Sequence, residues 1–168
     1  MSRRDDVEAF VALGANLGDG AATLRTAVAA IGALPLTRVV ARSSLYRSTP
    51  VQAGGPDYWN AVVRVRTALA PETLLDALLA IEAAHGRQRT AGEVNAPRTL
   101  DLDLLRYGEL ERHTARLTLP HPRMAQRAFV LAPLAEVWPE GSIDATPVPV
   151  LAARCIAQGQ SIDNIGPL

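Results

Sequence analysis

The order of hydrophobic periodicities along this chain restricts its fold more than any other sequence feature. Segments in which every second residue is apolar predict β-strands, and segments with apolar residues three and four apart predict helices. Here these patterns predict strand, helix, strand, strand, helix and strand in succession. The predicted strands cover residues 7–14, 37–46, 58–67 and 99–107, and the predicted helices cover about 21–31 and 71–85.

This order of elements predicts an α+β fold. Its core is a ferredoxin-like βαββαβ unit, an antiparallel sheet with helices on one face. A C-terminal appendage of helix and strand follows, with helices near residues 124–136 and 146–157. Two long loops, 47–57 and 86–98, connect core elements. Because 168 residues is the size of one domain, we expect residues 1–168 to form a single domain.

Charge and composition exclude several classes of protein. The seventeen basic residues are all arginine and are balanced by seventeen acidic residues. Binders of nucleic acid or of membrane surfaces need excess positive charge, so we expect neither partner. Without lysine the chain cannot form a Walker-type phosphate loop. The apolar runs are too short to cross a bilayer and the single cysteine, Cys155, fits a reducing compartment, so we expect a cytoplasmic protein.

Two aspartates on the fourth predicted strand are the main candidates for a functional site. Asp101 and Asp103 are two residues apart, so their carboxylates project from the same face of the strand. Carboxylates of this kind suit Mg²⁺, which completes its coordination with water and substrate phosphates. The alternative is an exposed strand with two solvated acids, and an isolated Asp-x-Asp would favour it. The leucines that alternate with the aspartates favour a functional role instead.

Arginines accumulate around the two aspartates. From Arg87 to Arg127 there are eight arginines and five acidic residues, although the whole chain is neutral. The guanidinium group presents a planar fork of donors that matches phosphate oxygens. We therefore expect a phosphate group to bind between the aspartates and these arginines. For Arg106, Arg112 and Arg123 an ordinary surface position is the favoured interpretation.

The few aromatic residues indicate a second ligand. Tyr58 and Asn60 share the strand face that is predicted to lack helices, and Phe129 follows the arginine-rich segment. Two rings and an amide suit a flat polar heterocycle, because the rings stack on its faces and the amide bonds its edge. For Phe129 the alternative is core packing in the last helix, which the sequence alone slightly favours. His121, between two prolines, could donate to a phosphate or only stabilise a turn.

Three classes of function remain open from these residues. The first is an enzyme that transfers a phosphoryl-type group. The second is a non-catalytic binding module, either regulatory or RNA-binding, although the zero net charge disfavours RNA. The third is a metal-dependent nuclease or phosphatase that uses the Asp-x-Asp pair with water. The reaction products distinguish the third class from the first, because hydrolysis releases free phosphate or a cut polymer.

Seven short motifs occur in order over nearly the whole chain: LGANLG at 13–18, SLYR at 44–47, PDYWNA at 56–61, segment 81–89, PRTLDLDL at 97–104, LPHPRM at 119–124 and segment 127–134. In these motifs the chain resembles the 6-hydroxymethyl-7,8-dihydropterin pyrophosphokinase family, and PRTLDLD is the most specific of them. The resemblance implies transfer of diphosphate from ATP to the pterin hydroxymethyl group, with release of AMP, in tetrahydrofolate biosynthesis. It also implies one pyrophosphokinase domain and small-molecule substrates, and we expect a monomer.

The resemblance further implies individual roles for site residues. Two Mg²⁺ ions would bind to Asp101 and Asp103. The pterin would lie between the rings of Tyr58 and Phe129, with Asn60 bonding its edge and Val51 contacting it. The positions that would line the ATP site are Glu82, Arg89, Arg116, Thr118, His121 and Arg127, and the loop arginines that would assist catalysis are Arg87 and Arg98.

Overall fold

The computed structural model describes residues 6–16, 19–48, 57–85 and 100–168. The core elements are β1 (Val7–Ala15), α1 (Gly20–Gly32), β2 (Thr37–Arg42), β3 (Ser44–Ser48), β4 (Tyr58–Thr67), α2 (Pro71–Ala84) and β5 (Asp101–Tyr107). They are followed by β6 (Arg112–His113), β7 (Thr118–Leu119), a 3₁₀ turn (Met124–Gln126), α3 (Ala128–Val137), β8 (Ser142–Ile143), β9 (Thr146–Pro147), α4 (Val148–Ala157) and β10 (Ile162–Pro167).

The main sheet is antiparallel in all of its described strand pairs. Its order is β10–β3–β4–β1–β5, and β2 pairs with β4 beyond the end of β3. The predicted α+β class with an antiparallel sheet is therefore confirmed. The C-terminal strand β10 joins this sheet at its edge rather than forming a separate unit.

One face of the sheet forms the larger hydrophobic core, as the alternation predicts. Val11 and Leu13 of β1 lie opposite Val63 and Ala61 of β4, and all four face helices α1 and α2. The helices contribute fully buried leucine and isoleucine side chains, namely Leu24, Ile31, Leu74 and Leu78. In β5, Leu102 and Leu104 face the same core, which leaves Asp101 and Asp103 on the other face.

The second face also carries helices, which corrects the prediction that helices cover only one face. Phe10, Val62 and Leu105 pack against α3 and α4 in a second buried cluster that includes Leu131 and Leu134. The physical reason is that these sheet positions are apolar and gain by burial. The C-terminal helices are therefore part of the core. The aspartates and Asn60 lie on this second face, in the strand rows next to the cluster.

Two predicted elements are interrupted. The strand predicted for residues 37–46 is divided at Ser43, whose N–H donates to Val62 O at 2.9 Å while its Oγ accepts from Val62 N–H at 3.0 Å. The helix predicted for 124–136 begins only at Ala128, because Arg127 has extended backbone angles (φ −126°, ψ 111°).

Within the part of the chain that the structure describes, the helices are too short or too polar to cross a bilayer.

Candidate active site

Asp101 and Asp103 lie on one face of β5, as the sequence predicts. Their partners on β1 are Gly14 and Ala12, and both aspartates are half-buried. Neighbouring residues of one strand face are about 7 Å apart at the backbone, so the two carboxylates can reach a common ligand. On β1 the two aspartates therefore have only the small residues Gly14 and Ala12 beside them.

Gly14 lies between Asn60 and Asp101 in one row across the sheet. Asn60 of β4 and Asp101 of β5 are its partners on either side. A Cβ at Gly14 would lie 3.6 Å from Asn60 Oδ1, so this position faces the same side as the Asn60 amide. In this row the backbone of Gly14 is therefore not covered by a side chain of its own, and the Asn60 amide and the Asp101 carboxylate lie on either side of it. We call this backbone surface the floor of the row. Such a floor allows a flat molecule to approach the backbone closely.

The orientation of the Asn60 side chain is fixed by its neighbours. Asn60 is 4% exposed, and its Nδ2 donates to Ser48 Oγ at 2.8 Å and to the Tyr58 carbonyl at 3.3 Å. Because a carbonyl can only accept, the nitrogen must be on this side and Oδ1 must point towards Gly14. The amide is thus arranged to accept a hydrogen bond from a ligand above Gly14.

His121 is held close to the aspartates by a backbone bond. Its N–H donates to Leu105 O at 2.9 Å, two residues beyond Asp103 on β5. Burial is the main cause that lowers the pKa of His121 below its usual value; Asp103 opposes this shift and Arg127 adds to it. The ring is therefore neutral at pH 7. Since Nδ1 accepts from Arg123 N–H at 3.2 Å, the ring proton is on Nε2, which can donate to a ligand.

Arg127 and Phe129 meet at the beginning of α3. The Arg127 guanidinium lies over the Phe129 ring with 5.5 Å between the guanidinium carbon and the ring centroid. Arg127 also acts on the pKa of His121, so its charge belongs to the same region as the aspartates. The half-buried Phe129 ring packs against the second core cluster, as the core-packing alternative expects, and its contact with a ligand stays a prediction. We call Asp101, Asp103, His121 and Arg127 the carboxylate–histidine site.

Glu82 lies at the outer edge of β5. Its carboxylate is 2% exposed and Oε2 accepts from the backbone N–H of Leu102 at 2.6 Å. Among the described residues β5 is the last strand of the main sheet, and this bond gives one of its backbone donors an acceptor. Glu82 thereby fixes the backbone between the two aspartates.

The remaining described candidates occupy the periphery. Tyr58 begins β4, lies opposite Ser48 and is 42% exposed. Within the described residues the one ring–ring contact is Phe10 with Trp138, so Tyr58 and Phe129 do not stack on each other. Thr118 lies in β7 and is half-buried.

Arg116 does not point into the carboxylate–histidine site as the structure stands. Its guanidinium forms an ion pair with Asp76 of α2, and both side chains are more than half exposed. Exposed ion pairs of this type contribute little free energy, so the pair can open for a ligand.

Four candidates lie outside the described residues. These are Val51, Arg87, Arg89 and Arg98. The predicted loops 47–57 and 86–98 also lie largely outside the described residues.

Sequence reasoning missed two contributors to this site. Gly14 is not among the predicted site residues, although it lies opposite Asp101 in the sheet. Ser48, which orients Asn60, was not singled out. The strand register would have found both, but a register depends on which strands pair, and a single sequence does not give that.

Comparison with known proteins identifies the family. The family model of 7,8-dihydro-6-hydroxymethylpterin-pyrophosphokinase matches residues 10–139. The chain belongs to this family. The match extends from β1 to the residue after Trp138, so it covers every candidate residue of the site.

Curated relatives agree with this membership. The chain is 45% identical over 152 residues to 2-amino-4-hydroxy-6-hydroxymethyldihydropteridine pyrophosphokinase of Pseudomonas aeruginosa, covering 89% of this chain and 93% of that protein. It is 46% identical over 132 residues to the protein of the same name from Synechocystis sp., covering 79% of this chain and 67% of that one.

Solved structures agree in fold. A structure of Plasmodium falciparum HPPK-DHPS with pterin and p-hydroxybenzoate superposes with a TM-score of 0.72 at 13% identity. The alignment covers 94% of this chain and 44% of the other, so the chain spans less than half of that protein. At this identity the likeness concerns the fold alone.

Proposed function

We propose that the carboxylate–histidine site binds the phosphates of ATP and that Tyr58, Asn60 and Phe129 bind the pterin. As a pyrophosphokinase of its family, the chain transfers the pyrophosphoryl group of ATP to 6-hydroxymethyl-7,8-dihydropterin, in folate biosynthesis. The observation that carries the assignment of residues is that Asp101 and Asp103 share one face of β5 and that the His121 N–H donates to Leu105 O of the same strand at 2.9 Å. Arg127 lies close enough to contribute to the lowered pKa of His121. Acidic, basic and neutral donor groups thus converge on one region of the sheet.

The donor set at Asp101 and Asp103 fits Mg²⁺. Among the described residues no three His, Cys, Asp or Glu side chains form a metal-binding cluster. A pair of carboxylates is nevertheless the protein contribution that Mg²⁺ commonly has when nucleotide phosphates complete its shell. Asp101 and Asp103 would hold two such ions, which would offset the charge that develops on the phosphates.

The chain's own residues would bind and orient the triphosphate. The Nε2–H of His121 would donate to a phosphate oxygen, and a neutral ring can do so without repelling the metal. Arg127 would pair with a further phosphate oxygen through its fork of N–H groups. Glu82 and Thr118 would border the nucleotide, and Arg116 would join it after leaving Asp76. From outside the described residues, Arg89 would contact ATP, and Arg87 and Arg98 would assist the reaction.

The pterin would lie above the floor at Gly14. Asn60 Oδ1 would accept from its N–H edge, because the amide nitrogen is already engaged with Ser48 and Tyr58. The rings of Tyr58 and Phe129 would cover the two faces of the heterocycle. Val51 would complete the pocket from outside the described residues.

Transfer would require alignment rather than a strong base. The hydroxymethyl oxygen would attack the β-phosphorus and lose its proton to solvent, the bond from that phosphorus to the α–β bridging oxygen would break, and AMP would leave. Alignment of the two substrates and stabilisation of charge supply most of the rate enhancement for such reactions. His121 and Arg127 would hold the triphosphate in line while Asn60 holds the acceptor.

As the sequence predicts, we propose that residues 1–168 form one domain with a ferredoxin-like core. We also propose that the protein acts as a monomer in the cytoplasm. Small-molecule substrates are its expected partners, without nucleic acid or membrane.

The experiment that tests the function uses purified protein with ATP and Mg²⁺, with and without 6-hydroxymethyl-7,8-dihydropterin. We expect AMP and pterin diphosphate in equal amounts, and AMP only when the pterin is present. Release of orthophosphate without pterin would indicate a phosphatase instead, and absence of AMP would contradict the proposed function.

A further inference from the structure

The segment that carries Arg127 and Phe129 is held by a side chain from outside α3. Gln160 Nε2 donates to the carbonyl of Gln126 at 2.9 Å, and Gln160 Oε1 accepts from the N–H of Ala128 at 2.8 Å. The two bonds engage the backbone on either side of Arg127. A single amide side chain therefore brackets the residue whose guanidinium covers the Phe129 ring.

The first turn of α3 needs an acceptor of this kind. The first N–H groups of a helix have no partner within the helix, and a short polar side chain at the preceding residue commonly satisfies one of them. In α3 the preceding residue is Arg127, which has no acceptor atoms and makes no capping bond. Gln160 supplies the acceptor from a distant part of the chain.

Gln160 is itself placed by the end of α4. Gly159 has φ +101°, a conformation that side chains disfavour, and its N–H donates to Ile156 O at 3.0 Å. The N–H of Gln160 donates to Cys155 O at 3.2 Å. This pair of bonds is the Schellman arrangement that ends many helices. It turns the chain so that the Gln160 side chain faces the start of α3.

Cys155 anchors this turn to the same region. It is 4% exposed, belongs to the second core cluster and lies with Sγ 4.0 Å from Ala125 O. The position of Gln160 relative to Arg127 is thus fixed through packing at Cys155 and through hydrogen bonds at Gln126 and Ala128.

We propose that Gln160 is a positioning residue for substrate binding: it sets the orientation of Arg127 and Phe129 at the start of α3. The proposal rests on the proposed function, which assigns Arg127 to ATP and Phe129 to the pterin. The family-model match ends at residue 139, so Gln160 lies beyond the residues that this match covers. The C-terminal segment would thus act on the site through Arg127 and Phe129.

The test compares Gln160→Leu with Gln158→Leu in the pterin-dependent AMP assay. Leucine is similar in size to glutamine but can make neither bond. Gln158 is an exposed glutamine of the same turn with no side-chain hydrogen bond among the described residues, so it is the matched control. We expect the KM values for ATP and for the pterin to rise roughly three- to tenfold in Gln160→Leu, as for a small misplacement of binding groups. The control should keep both values.

A second variant separates positioning from general stability. Gln160→Glu keeps an acceptor for the Ala128 N–H but places a carboxylate oxygen against the Gln126 carbonyl, so we expect KM values between those of wild type and Gln160→Leu. All KM values are measured well below the thermal unfolding midpoint of each variant, so that a loss of stability alone does not change them. If Gln160→Leu is less stable but has the KM values of the control, Gln160 is only structural and the proposal is wrong. If the wild-type protein forms no AMP with the pterin, the proposed function is wrong. The positioning role, which rests on it, is then wrong as well.

Discussion

The buried carboxylate of Glu82 accepts a hydrogen bond from the backbone N–H of Leu102, the residue between the two aspartates, at 2.6 Å. Leu102 belongs to β5, which forms one end of the main sheet. Through this bond, α2 fixes β5 at Leu102, between the two aspartates. This contact connects the larger hydrophobic core to the geometry of the carboxylate–histidine site.

Replacing Glu82 by alanine should lower stability and activity together. Glu82→Ala leaves the Leu102 N–H without its acceptor, and an unsatisfied buried donor costs about 1–3 kcal/mol. Urea unfolding measures this loss, and kcat should fall because the strand between the aspartates can shift. The control is Glu72→Ala on the same helix, which removes a half-exposed ion pair with Arg112 and should cost about 1 kcal/mol or less. Equal losses in both variants would contradict the role of Glu82.

Adding a side chain at Gly14 should impair pterin binding selectively. Gly14→Val projects two methyl groups into the space between Asn60 and Asp101, where a flat ligand would lie. We expect the KM for the pterin to rise about tenfold or more, which corresponds to at least about 1.4 kcal/mol. Steady-state kinetics with each substrate varied in turn measures this effect.

Gly14→Ala is the control for this prediction. Its Cβ would lie 3.6 Å from Asn60 Oδ1, an ordinary contact, so the fold should be retained and the pterin KM should rise less than in Gly14→Val. An unchanged pterin KM in Gly14→Val would show that no substrate occupies this row.

The neutral state of His121 predicts a pH dependence of folding. Burial lowers the pKa of His121 in the folded state below its usual value near 6.5. Between these two pKa values the unfolded chain binds more protons, so the free energy of unfolding falls as the pH decreases through about 6.5. It levels off below the folded-state pKa.

The matched variant isolates this dependence. Unfolding by urea from about pH 8 to about pH 5, in metal-free buffer, should give a steeper decrease for wild type than for His121→Gln. Parallel curves for the two proteins would mean that His121 is already protonated or exposed.

A second titration concerns the link between β3 and α3. The Tyr46 hydroxyl donates to Glu136, which also accepts from Ser44 N–H and Oγ. Burial first, and then Glu136, raises the pKa of Tyr46 above its usual value near 10. The stability from the neutral phenol is therefore complete below about pH 10 and is lost as the pH rises towards the folded-state pKa.

Tyr46→Phe should lose about 1 kcal/mol near neutral pH, since Glu136 keeps its Ser44 bonds. Its stability should then decrease less than that of wild type above about pH 10. A constant difference between the two proteins over this range would contradict the assigned titration.

Local periodicity was sufficient to predict the strands that carry the site. The leucines of β5 alternate with Asp101 and Asp103, so the faces of this strand follow from the sequence alone. Pro71 likewise marks the start of α2, because proline fits the first turn of a helix. In both cases the determinant lies within one element.

The features that the sequence did not predict depend on tertiary contacts. The cap of α3 comes from Gln160, and the division between β2 and β3 depends on Val62 bonding to Ser43. The second core cluster was also missed, because Phe10 and Leu105 show an apolar face only once α3 and α4 are known to cover it. Each of these contacts joins residues far apart in sequence, and no local pattern encodes the partner.

The most direct test of the central claim is anomalous diffraction from a crystal grown with Mn²⁺ and an ATP analogue that cannot be cleaved between the α- and β-phosphorus atoms. We predict manganese peaks at about 2.1 Å from carboxylate oxygens of Asp101 and Asp103, the distance typical of magnesium sites. The analogue's phosphates should contact the same ions and Nε2 of His121. An analogue bound with no manganese at either carboxylate would contradict the assignment of these aspartates and, with it, the account of the site.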